Sequence, residues 1–107
     1  MGYHEHKKCI EACLQCIAIC SHCASSCLKE EDLKMMTKCI QLDMECVAAC
    51  TAAVQLMSLG SPKAMEMCKI CADICEACAN ECSKHKNEHC QECAKACKAC
   101  AETCRNM

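Results

Sequence analysis

The chain contains no phenylalanine, no tryptophan and a single tyrosine, Tyr3. A core built on aromatic packing is thereby excluded, although such rings dominate many small interiors. Proline occurs once, at Pro62, and glycine twice, at Gly2 and Gly60. So little turn chemistry argues against loop-rich, many-stranded architectures, whose tight turns depend on these residues. An excess of one charge sign is also missing: 12 Lys and Arg against 14 Asp and Glu give a net charge of −2. There is no basic stripe for nucleic acid and no acidic run of the kind that marks a disordered tail. No stretch approaches the roughly 20 apolar residues of a membrane span. The opening Met1-Gly2-Tyr3-His4-Glu5-His6-Lys7-Lys8 has no apolar run that could direct export. Position 6 is His, where N-myristoylation wants Ser or Thr. These absences predict a cytosolic chain without nucleic-acid or membrane partners.

What the chain does have is cysteine: 19 of its 107 residues, beside 15 alanines and only 14 Val, Ile and Leu. The length fits one domain, residues 1–107, but bulky aliphatics cannot fill its core alone. In a secreted chain this cysteine content would suggest a disulfide scaffold. An odd number of cysteines cannot pair completely within the chain, and the scarcity of Gly and Pro opposes a loop-rich framework.

The spacing of the cysteines is more informative than their number. Cys9, Cys13, Cys16, Cys20, Cys23 and Cys27 step by 4, 3, 4, 3, 4. Alternating steps of three and four put side chains on one face of an α-helix, at the two seam positions of a bundle. Cys68, Cys71, Cys75, Cys78 and Cys82 repeat the pattern, as do Cys90, Cys93, Cys97, Cys100 and Cys104. Between them Cys39, Cys46 and Cys50 keep the register with fewer members, leaving Asp43, Ala53 and either Met36 or Met57 for the vacant seam positions. Sliding that seam to Leu42 would turn Asp43 outward.

Breaks fall between the stripes. Lys29-Glu30-Glu31-Asp32 separates the first two helices, with Asp32 as N-cap; Ser58-Leu59-Gly60-Ser61-Pro62 separates the next, with Ser61 capping and Pro62 the first helical residue. Ser83-Lys84-His85-Lys86-Asn87 precedes the last helix, with Asn87 its cap. Helices are thus predicted near 4–28, 32–58, 62–84 and 88–105. Short connections force antiparallel neighbours, so the expected fold is all-α, an antiparallel up-down-up-down four-helix bundle with a cysteine-lined core. A second apolar stripe, Ile10, Leu14, Ile17, Ala24 and Leu28 on helix one and Ile40, Met44, Val47 and Val54 on helix two, either widens the core or forms a subunit interface.

Cysteines three or four apart on a helix have Cβ atoms about 5–6 Å apart, whereas a disulfide needs about 3.5–4.5 Å. Two such thiolates can instead hold one ion between them. Thiolate is a soft ligand that selects Cu(I), zinc and iron–sulfur clusters. Zinc prefers closed tetrahedral sites, commonly from Cys-x-x-Cys turns. The bacterial cluster run has other steps and ends in Cys-Pro, absent here. A thioredoxin-like site needs one Cys-x-x-Cys in a βαβ setting. Copper(I) with bridging thiolates approaches one ion per cysteine, a capacity of roughly 19. Equal numbers of Cu⁺ and RS⁻ make a neutral filling, and before metal arrives neutral thiols pack like small hydrophobes. A folded helical apoprotein is therefore expected.

The stripes Cys9-x-x-x-Cys13-x-x-Cys16-x-x-x-Cys20, Cys39-Ile-Gln-Leu-Asp43-Met-Glu-Cys46, Cys71-Ala-Asp-Ile-Cys75-Glu-Ala-Cys78 and the Cys90 to Cys104 run resemble the bacterial four-helix-bundle copper storage proteins, specifically their cytosolic branch. The resemblance spans nearly the whole chain. It implies storage of multiple Cu(I) ions within each subunit's bundle and a homotetramer.

Other ligand candidates gather at one end. In an antiparallel bundle Cys27, Met35, Met36, Cys82, His85, His89 and Cys90 share one mouth, where imidazole and thioether suit incoming copper. His89 and, less strongly, His85 are candidate ligands, as is Asp43 at the seam. His4, His6 and His22 are expected in solvent, and Met57 and Met65 close the opposite end. Copper storage without turnover is the leading reading; a metallothionein-like zinc or cadmium sink is second. A thiol oxidoreductase ranks third because no single cysteine is marked out by an electropositive, part-exposed setting. A purely structural bundle ranks last, since leucine would serve such a core better.

Overall fold

The computed structural model describes residues 2–107. It contains four helices, α1 (Lys7–Cys27), α2 (Leu33–Ser58), α3 (Ala64–Cys82) and α4 (Glu88–Arg105). Each packs against its two neighbours, α1 on α2 and α4, and α3 on α2 and α4. The diagonal partners face each other across the interior. The body measures 46 × 18 × 17 Å.

The local chemistry of the chain sets the ends of the elements. Asp32 caps α2, its carboxylate accepting from Met35 N at 3.3 Å. Gly60 ends the same helix in the left-handed region, φ +66°. There Gly60 N donates to Met57 O and Ser61 N to Leu56 O, the paired bonds of a Schellman motif. Helix α3 starts at Ala64, two residues later than expected. Ser61 Oγ accepts from Lys63 N and Ser61 O from Ala64 N, so Pro62 lies in a capping turn. Asn87 precedes α4 with extended ψ, but its carbonyl, not its side chain, receives Cys90 N and Gln91 N.

Helix α1 starts at Lys7, not near residue 4, because residues 2–6 form turns folded over the far end. His6 N donates to Gly2 O and Ile10 N to His6 O. Gly2, φ +54°, presses on the α2–α3 connection so closely that a Cβ there would stand 3.0 Å from Ser58 O and 3.2 Å from Gly60 N.

The core is the cysteine stripe. All 19 cysteines are buried, none more than 4 % exposed. Ala49, Ala53, Ala72, Ala79 and Ala101 fill the gaps between them. On α2 both Met36 and Met57 are buried, where the sequence suggested one or the other, and Asp43 is completely buried while Leu42 is only half-buried. The seam therefore runs through Asp43. The second apolar stripe divides: Ile10 and Ala24 enter the core, Ile17, Ile40, Val47 and Val54 are half-buried, and Leu14, Leu28 and Met44 are exposed.

One expectation needs correction. Helices α1 and α2 are long and apolar enough, by length and composition, to cross a membrane. Ten of the chain's 14 Val, Ile and Leu lie in these two helices and, added to cysteine and alanine, raise their hydropathy. Here the cysteine faces of both helices turn inward and close the bundle.

Candidate metal centre

The antiparallel arrangement sets the cysteines of α1 and α4 in opposite order along the axis. Cys9 Sγ meets Cys104 Sγ at 2.8 Å at the far end, Cys13 meets Cys100 at 3.6 Å, Cys16 meets Cys97 at 3.7 Å, and Cys20 meets Cys93 at 3.6 Å. Helices α2 and α3 do the same, with Cys50 on Cys71 at 3.6 Å, Cys46 on Cys75 at 3.3 Å and Cys39 on Cys82 at 3.2 Å. Cys16–Cys46 at 3.5 Å and Cys46–Cys97 at 3.9 Å tie the two columns together. Cys68 is buried near the far end.

Within single helices, sulfur atoms four residues apart lie 3.7–3.9 Å from one another, as in Cys16–Cys20, Cys78–Cys82 and Cys93–Cys97. All the thiols are free. At a thiolate–metal bond of about 2.3 Å, sulfurs in a tetrahedral site stand about 3.8 Å apart and those flanking a linear ion about 4.6 Å apart. The column thus fits shared metal sites with little adjustment. Sets of four sulfurs all within 4.8 Å of one another recur along it: Cys13, Cys71, Cys100 and Cys104; Cys16, Cys46, Cys50 and Cys75; Cys20, Cys78, Cys93 and Cys97; Cys23, Cys27, Cys39 and Cys90. Some members serve two sets, Cys16 also belonging to one with Cys20, Cys46 and Cys97. Such sharing is the geometry a bridged cluster requires and a series of separate closed sites does not.

Among the described residues, two groups other than sulfur face the column. Asp43 Oδ1 accepts from Cys78 and Cys93, each at 3.2 Å, and from Cys82 at 3.6 Å, while Oδ2 receives Cys39 at 3.9 Å. Burial, reinforced by the neighbouring Cys93, pushes its carboxyl up to about 8. His89 stands at the mouth with Nδ1 3.6 Å from Cys23 and Cys90 and 3.8 Å from Cys27. Its Nε2 is 2.8 Å from Glu30 Oε2, so the carboxylate orients the ring toward the thiols. Burial, together with the charge of Cys39, raises the rim thiol Cys90 to about 11 and Cys27 further.

The remaining candidates are placed otherwise. His85 turns to Glu81, Nε2 to Oε2 at 2.9 Å, and stands outside the thiol contacts. Met36 is buried at the mouth and Met35 is exposed; Met57 plugs the far end and Met65 is 43 % exposed. His4 and His22 are exposed, but His6 is half-buried. Sequence reasoning missed Glu30 and Glu81. The i,i+4 spacing of Glu81 and His85 was a usable signal; Glu30 lies 59 positions from His89 and gave none.

Comparisons with known proteins agree with this geometry. A family model described as copper storage protein matches residues 3–107. The chain is 52 % identical over 77 residues to the uncharacterized cysteine-rich protein YhjQ of Bacillus subtilis, covering 72 % of this chain and 71 % of that one. The Cu(I)-bound copper storage protein BsCsp3 superposes with a TM-score of 0.91 at 51 % identity, over 94 % of this chain and 95 % of the other. A cytosolic copper storage protein from Streptomyces lividans, solved with five coppers, does so with a TM-score of 0.93 at 36 % identity, over 98 % and 92 %. A thiol-filled four-helix bundle matched by the family model over residues 3–107 belongs to the copper storage protein family.

Proposed function

We propose that this chain takes up and stores Cu(I) in its thiol column, without turnover, in the cytosol. The single observation that carries the reading is the shared sulfur sets, in which one thiolate can bridge two ions. Soft, monovalent copper tolerates two or three such ligands, and each ion that binds displaces one thiol proton, so the filled interior stays neutral. All 19 cysteines, Cys9 to Cys104, are proposed ligands, giving about one ion per thiol. Asp43 is proposed as an oxygen ligand, or as a hydrogen-bond partner that leaves its thiols free to ionise one at a time. His89 is proposed to receive copper at the mouth, with Glu30 orienting it. His85, held by Glu81, is the weaker candidate of the pair.

The chain is further proposed to work as a homo-oligomer, with exposed Leu14 and Met44 and the half-buried residues beside them on α1 and α2 as the joining face. The family's tetramer is the expected size.

Titration of the reduced apoprotein with Cu(I), under anaerobic conditions and in competition with a coloured Cu(I) chelator, tests the storage reading. Saturation near one ion per cysteine is expected. Saturation at four or five, the number of closed four-thiolate sites that 19 cysteines allow, would instead favour the zinc or cadmium sink.

A further inference from the structure

The two ends of the bundle carry similar parts. At the mouth, a histidine held by a glutamate, His89 on Glu30, stands with Met36 over the outermost thiols. At the far end His6 Nε2 lies 3.2 Å from Glu5 Oε1, and the His6 side chain is only 16 % exposed. A cavity of about 660 Å³ beside it is lined by His4, His6, Met107 and Cys9. A second, of about 800 Å³, shares His6 and Met107 and adds Met65. Cys9 leads inward, its sulfur 2.8 Å from Cys104, which is in turn 3.8 Å from Cys13. The Gly2–Gly60 contact and the His6–Gly2 backbone bond hold this segment over the end of the column, although nothing in the storage role of the thiols requires a histidine there.

We infer that the far end is a second copper port, where the imidazole of His6 and the thioether of Met107, with Met65 at the rim, bind Cu(I) and pass it to Cys9 and Cys104. Imidazole and thioether are neutral ligands suited to copper and bind it less firmly than thiolate, so transfer runs inward. The step is a ligand exchange with no change in oxidation state. A Cu–N or Cu–S(thioether) bond breaks, a Cu–S(thiolate) bond forms, and the thiol proton leaves to water. The port rests on the copper-storage reading and adds to it a route at the end opposite His89.

The test uses the full-length reduced apoprotein, labelled with ¹³C at methionine methyls and ¹⁵N in histidine rings, with Cu(I) supplied as a chelator complex under anaerobic conditions. The Met107 methyl and His6 ring signals are expected to move before saturation. In a His89→Ala background, which disables the mouth, adding His6→Ala and Met107→Leu is expected to slow uptake about tenfold, the scale of loss when groups around a metal site are removed. Signals that stay in place to saturation, or uptake unchanged by the added substitutions, overturn the port. If the combined variant loses its helical circular dichroism, Met107→Leu alone, nearly conserved in volume, carries the kinetic comparison. Total capacity, measured in the same titration, tests the storage reading separately: a full capacity with unmoved signals removes only the port.

Discussion

Asp43 is the one carboxylate sealed among the thiols, and its chemistry has a measurable sign. Its ordinary value of 3.8 applies to the unfolded chain, whereas in the fold burial and the adjacent Cys93 raise it to about 8. Between those two pH values the folded apoprotein holds a proton that the unfolded chain has lost. Stability contributed by this group is therefore complete below about pH 4, falls as pH rises toward 8, and is level beyond. Asp43→Asn keeps the shape and cannot ionise. Urea unfolding of reduced apoprotein at pH 5 and pH 8 is expected to show a smaller loss in the variant than in the parent, with the variant the more stable at pH 8. Parallel losses in the two proteins would remove the argument. This residue also marks a limit of sequence reading. Periodicity placed all the cysteines inside, because six or five repeats of one spacing fix a face. Helix α2 has only three cysteines, and with Asp43 and Leu42 adjacent the stripe could not choose between them. The choice is made by thiols on other helices, Cys78 and Cys93, which no local pattern in α2 reports.

Helix ends were read well where a side chain makes the cap and less well where the backbone does. Asp32 bonds Met35 N as its type and position suggested. Ser61 and Pro62 signalled a start that the chain delays by two residues, since the Ser61 hydroxyl accepts from Lys63 N and its carbonyl from Ala64 N. Helix one is predicted from near residue 4, but residues 2–6 lie in turns, with Gly2 pressed on the α2–α3 connection. Gly60 is the element-scale residue with a clear consequence. A Cβ there meets only Gly2, its Cα at 3.7 Å and its N at 3.9 Å, ordinary contact, so a substitution costs through its φ of +66° and not through a clash. Gly60→Ala is expected to destabilise the reduced apoprotein by about 1 kcal/mol, lowering its melting temperature by about 5 °C. Copper capacity should not change, because no thiol moves. Thermal unfolding followed by circular dichroism decides it, and a melting temperature equal to the parent's would show that the Schellman bonds tolerate the side chain.

At the scale of the whole molecule the four-helix arrangement was legible from three loops and one repeated spacing, but the fate of its outer apolar stripe was not. Ile10 and Ala24 are taken inside, where cysteine leaves room for them; Ile17, Ile40, Val47 and Val54 are half-buried, and Leu14, Leu28 and Met44 remain outside. A sequence cannot apportion a stripe between two jobs. If this face joins subunits, Leu14→Glu with Met44→Glu buries like charge at the contact. Light scattering after size exclusion is then expected to report a monomer where the parent is an oligomer, with the Cu(I) capacity per chain unaltered. An unchanged mass would place the interface elsewhere.

The complete burial of the thiols reaches beyond storage. Each Cu⁺ that enters sends one H⁺ out, so the protein changes mass as it fills while its exterior keeps the same net charge of −2. Isoelectric focusing of empty and loaded protein is expected to give bands at one position, near pH 6.2. An acidic drift on loading would mean that thiolates outnumber the copper they hold or that Asp43 gives up its proton to an ion it ligates. From a distance a full bundle and an empty one are electrostatically the same object. Any partner that must tell them apart has to read the ends of the column, where His89 and His6 stand closest to the load, because the long sides carry no record of it.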